Sequence, residues 1–159
     1  MKLHLGCGGI RLNGYINVDC RKSSAVDVIA DARNLPFKDN SATLIESYHL
    51  IEHIPRRNVM DTLRSWYRLL RPAGKLVIEC PDFDKNCEDY VRGINQNMQL
   101  RYIYSMGRWP KDVHFYGYNF ERLKLFLEKA NFTNIQRQIS HDYHTQQAAC
   151  LRVECQKHG

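Results

Sequence analysis

The stretch Leu3-His4-Leu5-Gly6-Cys7-Gly8-Gly9 decides how the rest of the chain is read. A short apolar run breaking into closely spaced glycines predicts a buried strand that enters a tight turn, where the missing side chains let a ligand approach the backbone. Ten residues beyond Gly9, Asp19 closes a second strand-like run, Tyr15-Ile16-Asn17-Val18. An acid that ends the strand beside a glycine turn is placed to accept hydrogen bonds from ribose hydroxyls.

Three further segments follow in order: Asp31-Ala32-Arg33-Asn34-Leu35-Pro36-Phe37, Leu50-Ile51-Glu52-His53-Ile54, and Leu70-Arg71-Pro72-Ala73-Gly74-Lys75-Leu76-Val77-Ile78. Together with the glycine stretch they resemble the class I S-adenosylmethionine-dependent methyltransferases, of the small-molecule type that carries LxxGCG, D-A-x-x-L-P-F, L-E-H and L-R-P-G-G. The resemblance covers roughly the first half of the chain. It implies S-adenosyl-L-methionine as cofactor, with Gly6, Cys7, Gly8 and Gly9 at the methionine moiety and ribose and Asp19 at the ribose hydroxyls. Asp31 and Ala32 then fall at the adenine edge, and Ser47 and Tyr48, at the end of the fourth strand, complete the cofactor set. The implied fold is α/β and Rossmann-like. It has a mostly parallel seven-stranded sheet with helices on both faces and a C-terminal antiparallel hairpin, abbreviated at the N-terminus.

With 159 residues the chain fits a single methyltransferase domain over 1–159, and its 43% apolar and 25% charged content is that of a globular protein. No run approaches the roughly 20 apolar residues of a membrane span, and Met1 leads straight into a strand, so the expected location is cytoplasmic. The formal charge of +6 allows an acidic partner but lacks the aromatic interleaving of a nucleic-acid surface, so nucleic acid is not the expected acceptor. Cys7, Cys20, Cys80, Cys87, Cys150 and Cys155 are scattered and read as buried thiols in an α/β pattern. No metal is expected. Cys150 and Cys155 would face opposite sides of a strand, and His49 and His53, four apart, lack the glutamate of the HExxH arrangement.

Along the chain, the crossovers after Gly6 and after Cys20 are too short for helices. A strand is expected at Val26 to Ile29 and another at Ala42 to Ser47. Val59, Leu63, Trp66 and Leu70 form a helical stripe after Pro55, ended by Pro72 and Gly74, and Lys75 to Cys80 is β-rich. Residues 84–118 are less patterned, with short helices at Glu88 to Arg92 and Gln96 to Tyr104, and are expected to form a mobile substrate lid. Asn119 caps a helix with the stripe Phe120, Leu123, Leu127 and Ala130, and Phe132 to Ile139 and Ala149 to Cys155 form a terminal strand pair.

A nicotinamide dinucleotide fold is set aside because the third glycine of GxGxxG is Arg11. Amino-directed DNA methyltransferases resemble the fold but carry an N/D-P-P-Y motif where Ser47-Tyr48-His49-Leu50 stands. Histidines are the candidate general bases, because methyl transfer to oxygen or nitrogen is helped by removing the acceptor's proton near neutral pH. His49 lies nearest the expected methyl position, and His114, in the lid, approaches from above. The expected activity is methyl transfer to an oxygen or nitrogen of a small-molecule or glycan acceptor. The alternatives are an RNA acceptor or a non-catalytic methyltransferase-like module. The short crossovers would leave apolar sheet surface for a partner chain or a second copy, making a homo-oligomer.

Overall fold

The computed structural model describes residues 1–110, 112–141 and 143–159, excepting the Tyr143 side chain. Seven strands form one sheet: β1 (Lys2–Leu5), β2 (Ile16–Asp19), β3 (Val28–Ile29), β4 (Ala42–Tyr48), β5 (Leu70–Pro81), β6 (Phe132–Gln138) and β7 (Cys150–Lys157). Their spatial order is β3-β2-β1-β4-β5-β7-β6. Neighbours from β3 to β5 run parallel, and β7 is antiparallel to both β5 and β6. This is the Rossmann-like methyltransferase sheet expected from the sequence.

Alternation along the strands sorts their side chains. Leu3, Leu5, Val18, Ile45, Leu76, Ile78, Leu151, Val153 and Cys155 belong to one core with Leu63, Trp66, Leu123 and Leu127. Those last four lie on helices α1 (Val59–Leu69) and α4 (Phe120–Lys129), so both helices cover the same face of the sheet. Trp66 is fully buried, and its indole N–H donates to the Ala32 carbonyl at 2.8 Å. It thereby pins the chain after β3 onto α1, and truncation to Ala would cost about 3–5 kcal/mol. Two more helices, α2 (Phe83–Val91) and α3 (Gln96–Tyr104), follow the carboxyl end of β5 and pack against each other.

The opposite face is polar. Its strand residues include Lys2, His4, Glu46, Tyr48, Lys75, Glu79, Arg152 and Glu154, and Val77 is buried there outside the core. Arg152 bridges Glu79 at 3.3 Å and Glu154 at 3.2 Å. Helices therefore attend the two faces unequally, and the second face carries polar and charged side chains, with Arg152 paired to Glu79 and Glu154, in place of the expected apolar surface.

Several local boundaries differ from expectation. The helix α1 stops at Leu69, before Pro72, because Leu70 already pairs with Ala42, and Ala73 takes the turn at φ 58°. The strand β3 omits Val26. The helix α2 starts at Phe83, where the Asp82 carboxylate accepts from the Lys85 N–H at 3.3 Å and so supplies the cap. His49 and His53 do not share a helix face, since Ile51–His53 is a single 3₁₀ turn and His49 has φ 48°. As expected, Asn119 caps α4, its side chain accepting from the Arg122 N–H at 2.8 Å.

Candidate active site

The carboxyl ends of the parallel strands carry the site, as open α/β sheets require. Leu5 of β1 pairs with Ser47 of β4, so the turn after β1 lies beside the chain leaving β4. Gly6 has φ 70°, and a Cβ there would come within 3.0 Å of the Leu50 side chain. Only glycine suits both demands. The N–H groups of Gly6 and Cys7 donate to the Val18 carbonyl at 2.8 and 3.1 Å, tying the turn to β2.

Asp19 completes the turn. Its carboxylate accepts from the Gly8 N–H at 2.8 Å through one oxygen and from the Arg21 N–H at 2.8 Å through the other. A carboxylate offers about four lone pairs, so two hydroxyl donors can still be accepted. A Cβ on Gly9 would meet nothing within 4 Å, and one on Gly8 only the tip of Arg21. The turn thus opens toward a ligand on that side, and its donors and acid suit a nucleoside with a ribose diol. Cys7 is no nucleophile here, because burial and then the Asp19 charge push its thiol up to about 11.

The other sequence-selected cofactor residues are placed less uniformly. The Ala30 N–H donates to the Asp19 carbonyl at 3.0 Å, which brings Asp31 and Ala32 alongside Asp19. Asp31 is bound by Arg33 through both oxygens, and the Ala32 carbonyl is taken by Trp66. Ser47 is fully buried, with no hydrogen-bond partner for its hydroxyl, whereas Tyr48 points to the other face, edge-on to His4 at 5.7 Å. Ser47 and Tyr48 are therefore not brought together.

The two candidate bases meet at Glu52, the acid of the L-E-H motif, to which the sequence reading assigns no site role. Glu52 is 2% exposed, with the His49 Nδ1 3.4 Å and the His114 Nε2 4.0 Å from one carboxylate oxygen. Burial alone opposes ionisation of Glu52. The His49, His114 and His53 imidazoles outweigh it and hold the carboxyl at about 2. Burial pushes the His114 pKa below its ordinary value, and Glu52 counters part of that. The His49 Nε2 faces the Cys150 sulfur at 3.7 Å, and its ring stacks on His144 with centroids 3.9 Å apart. In the sequence Glu52 reads as the acid of L-E-H set among Leu50, Ile51 and Ile54, a pattern that signals burial but no partner. Its carboxylate partners are His49, three residues before it, and His114, from the 84–118 segment.

The 84–118 segment reaches both halves of the site. Trp109 lies against the Arg21 guanidinium at 3.9 Å, above Asp19, while His114 and Tyr102 reach the Glu52–His49 pair. A small cleft there is lined by Glu52, Pro81, Phe83, Tyr102, His114 and Tyr118.

Comparison with known proteins agrees with this fold. A family model described as a methyltransferase domain matches residues 9–78. No curated protein matches the sequence. Among solved structures, the chain is similar to a SAM-dependent methyltransferase of Thermotoga maritima described as a possible histamine N-methyltransferase. The TM-score is 0.63 at 19% identity, covering 98% of this chain and 81% of that one. A SAM-dependent methyltransferase from Archaeoglobus fulgidus gives 0.66 at 16% identity, covering 98% and 85%. A Haloferax volcanii methyltransferase, solved in complex with the Trm112 methyltransferase activator, gives 0.62 at 12% identity, covering 99% and 82%. The resemblance to class I SAM-dependent methyltransferases read from the motifs thus recurs in a family model and in the fold of nearly the whole chain. Among the described residues no helix is long and apolar enough to cross a membrane.

Proposed function

We propose that this chain, with the fold of the class I S-adenosylmethionine-dependent methyltransferases, transfers a methyl group from S-adenosyl-L-methionine to an oxygen or nitrogen of a small-molecule or glycan acceptor. One observation carries the reading. Gly6 packs on Leu50, so the glycine turn and the His49–Glu52 pair meet at the carboxyl ends of neighbouring strands. The backbone of Gly6 to Gly9 and the Asp19 carboxylate would hold the cofactor, with Asp31 and Ala32 beside the adenine. When bound, the cofactor supplies an electrophilic methyl group on a sulfonium.

The protein's part is to position the acceptor and manage its proton. His49 turns Nδ1 toward the ionised Glu52, which favours a proton there and leaves the lone pair on Nε2, where an acceptor that displaces the Cys150 contact would give up its proton. The buried carboxylate would then stabilise the imidazolium, as in other base–carboxylate pairs. His114, facing the same carboxylate from the lid, couples lid position to this pair, and Tyr102 and Trp109 exclude water. In-line positioning contributes independently of the base.

The test is transfer of labelled methyl from S-adenosylmethionine to metabolite, glycan and RNA pools. A labelled metabolite or glycan is expected, and His49→Ala should lower kcat by about 10²–10⁴-fold. A label confined to RNA would overturn the acceptor class. A second reading, a methyltransferase-like subunit dependent on a partner, draws support from the likeness to the H. volcanii chain solved with its activator. A chain that binds the cofactor yet labels none of the pools would favour it.

A further inference from the structure

We propose that Glu52, His53 and His114 form a binding site for a divalent transition-metal ion, with Zn²⁺ the cation its donors suit best. One ligand atom from each residue lies within 4.8 Å of the other two, and among the described residues this is the only group of three so arranged. Glu52 is buried, and neither of its oxygens is in a hydrogen bond. A buried carboxylate favours a positive charge against it, and the two imidazoles nearest to it, His49 and His114, stand at 3.4 and 4.0 Å, beyond close hydrogen-bond contact.

Both imidazoles are oriented in advance. The His53 Nδ1 donates to the Val113 carbonyl at 3.0 Å and the His114 Nδ1 to the Tyr102 carbonyl at 2.9 Å. A carbonyl only accepts, so each ring carries a proton on Nδ1, and the neutral ring then has its Nε2 lone pair for a ligand bond. A backbone acceptor on the second ring nitrogen is what orients histidines in metal sites. In the neutral ring the His114 Nε2 turns a lone pair toward a carboxylate oxygen 4.0 Å away, an arrangement that a cation between them would satisfy.

The donor set identifies the ion's class. Two imidazoles and one carboxylate suit Zn²⁺ and its first-row neighbours, and three protein ligands leave a fourth position open for an exogenous oxygen. Ligand bonds of about 2.0–2.2 Å imply donors roughly 3.4 Å apart in a tetrahedron, so side-chain rotation has to draw the three together from separations of up to 4.8 Å. The ligands come from the turn after β4 and from the lid loop, which the Phe115 N–H already joins to the Glu52 carbonyl at 2.8 Å. A bound ion would lock that junction. The site does not depend on the methyl-transfer reading, since it would stand in a chain that transfers nothing.

The test uses tag-free full-length protein, stripped with chelator and titrated with Zn²⁺ by calorimetry and with Co²⁺ by visible absorption. One ion per chain, a raised Tm and a tetrahedral Co²⁺ spectrum without thiolate charge transfer are expected. Glu52→Gln and His53→Ala should each weaken binding by more than about tenfold with unchanged circular dichroism. The half-buried His53 ring keeps the test decisive if Glu52→Gln does not fold. Failure to bind a stoichiometric ion, a thiolate Co²⁺ spectrum, or binding unaltered in His53→Ala would overturn the proposal.

Discussion

Asp19 has two roles at one carboxylate. Sequence pattern marks it for ribose, and the structure shows it also holding the glycine turn through the N–H groups of Gly8 and Arg21. Hydrogen bonds to a charged group contribute about 1.5–3 kcal/mol, so Asp19→Ala should lower unfolding stability by that order as well as cofactor affinity. Chemical denaturation checks this, and an unchanged midpoint would mean the turn stands without the acid. Glycine spacing made this pair legible. Glu52 was not, because nothing within a few residues of it shows that His114, sixty-two positions on, will face its carboxylate.

At the scale of elements, the 84–118 segment holds a buried acid that its sequence pattern did not mark. Asp112 is 1% exposed and accepts from the Ser105 hydroxyl at 2.6 Å, the Arg108 N–H at 2.9 Å and the Arg108 Nε at 3.0 Å. Burial raises its pKa, but these donors outweigh it and hold the carboxyl at about 2. The folded value lies below the unfolded one, so the contribution is complete above about pH 4 and is lost as pH falls toward 2. It amounts to roughly 2 kcal/mol at 1.36 kcal/mol per unit. Hydrogen exchange over residues 105–112 should accelerate across that window and lose the dependence in Asp112→Asn. Pattern alone located α3 at its observed ends, because Gln96 to Tyr104 lies between turn residues. It missed the first half of α2, whose start depends on the Asp82 cap rather than on an apolar stripe. The same polar composition that hid these contacts made 84–118 read as a loop.

For the whole molecule, strand order and the antiparallel β7 follow from the family resemblance, while periodicity gave only an alternation of strands and helices. The polarity of the second face was legible residue by residue in Lys2, His4, Glu46, Lys75, Glu79, Arg152 and Glu154, once strand register was known. Registers are not local, so the sequence reading expected apolar surface there. Because that face carries polar and charged side chains, and like copies would bring two such surfaces together, we expect a monomer. Light scattering should return a mass near 18.7 kDa, and a stable dimer would show that another surface associates. The central claim is that the glycine turn and Asp19 bind the methyl donor. Calorimetric titration with S-adenosyl-L-methionine tests it most directly. Saturable binding of one molecule per chain, competed by the demethylated product and weakened in Asp19→Ala, is the predicted result. No heat of binding at millimolar cofactor, from protein shown to be folded, would contradict it.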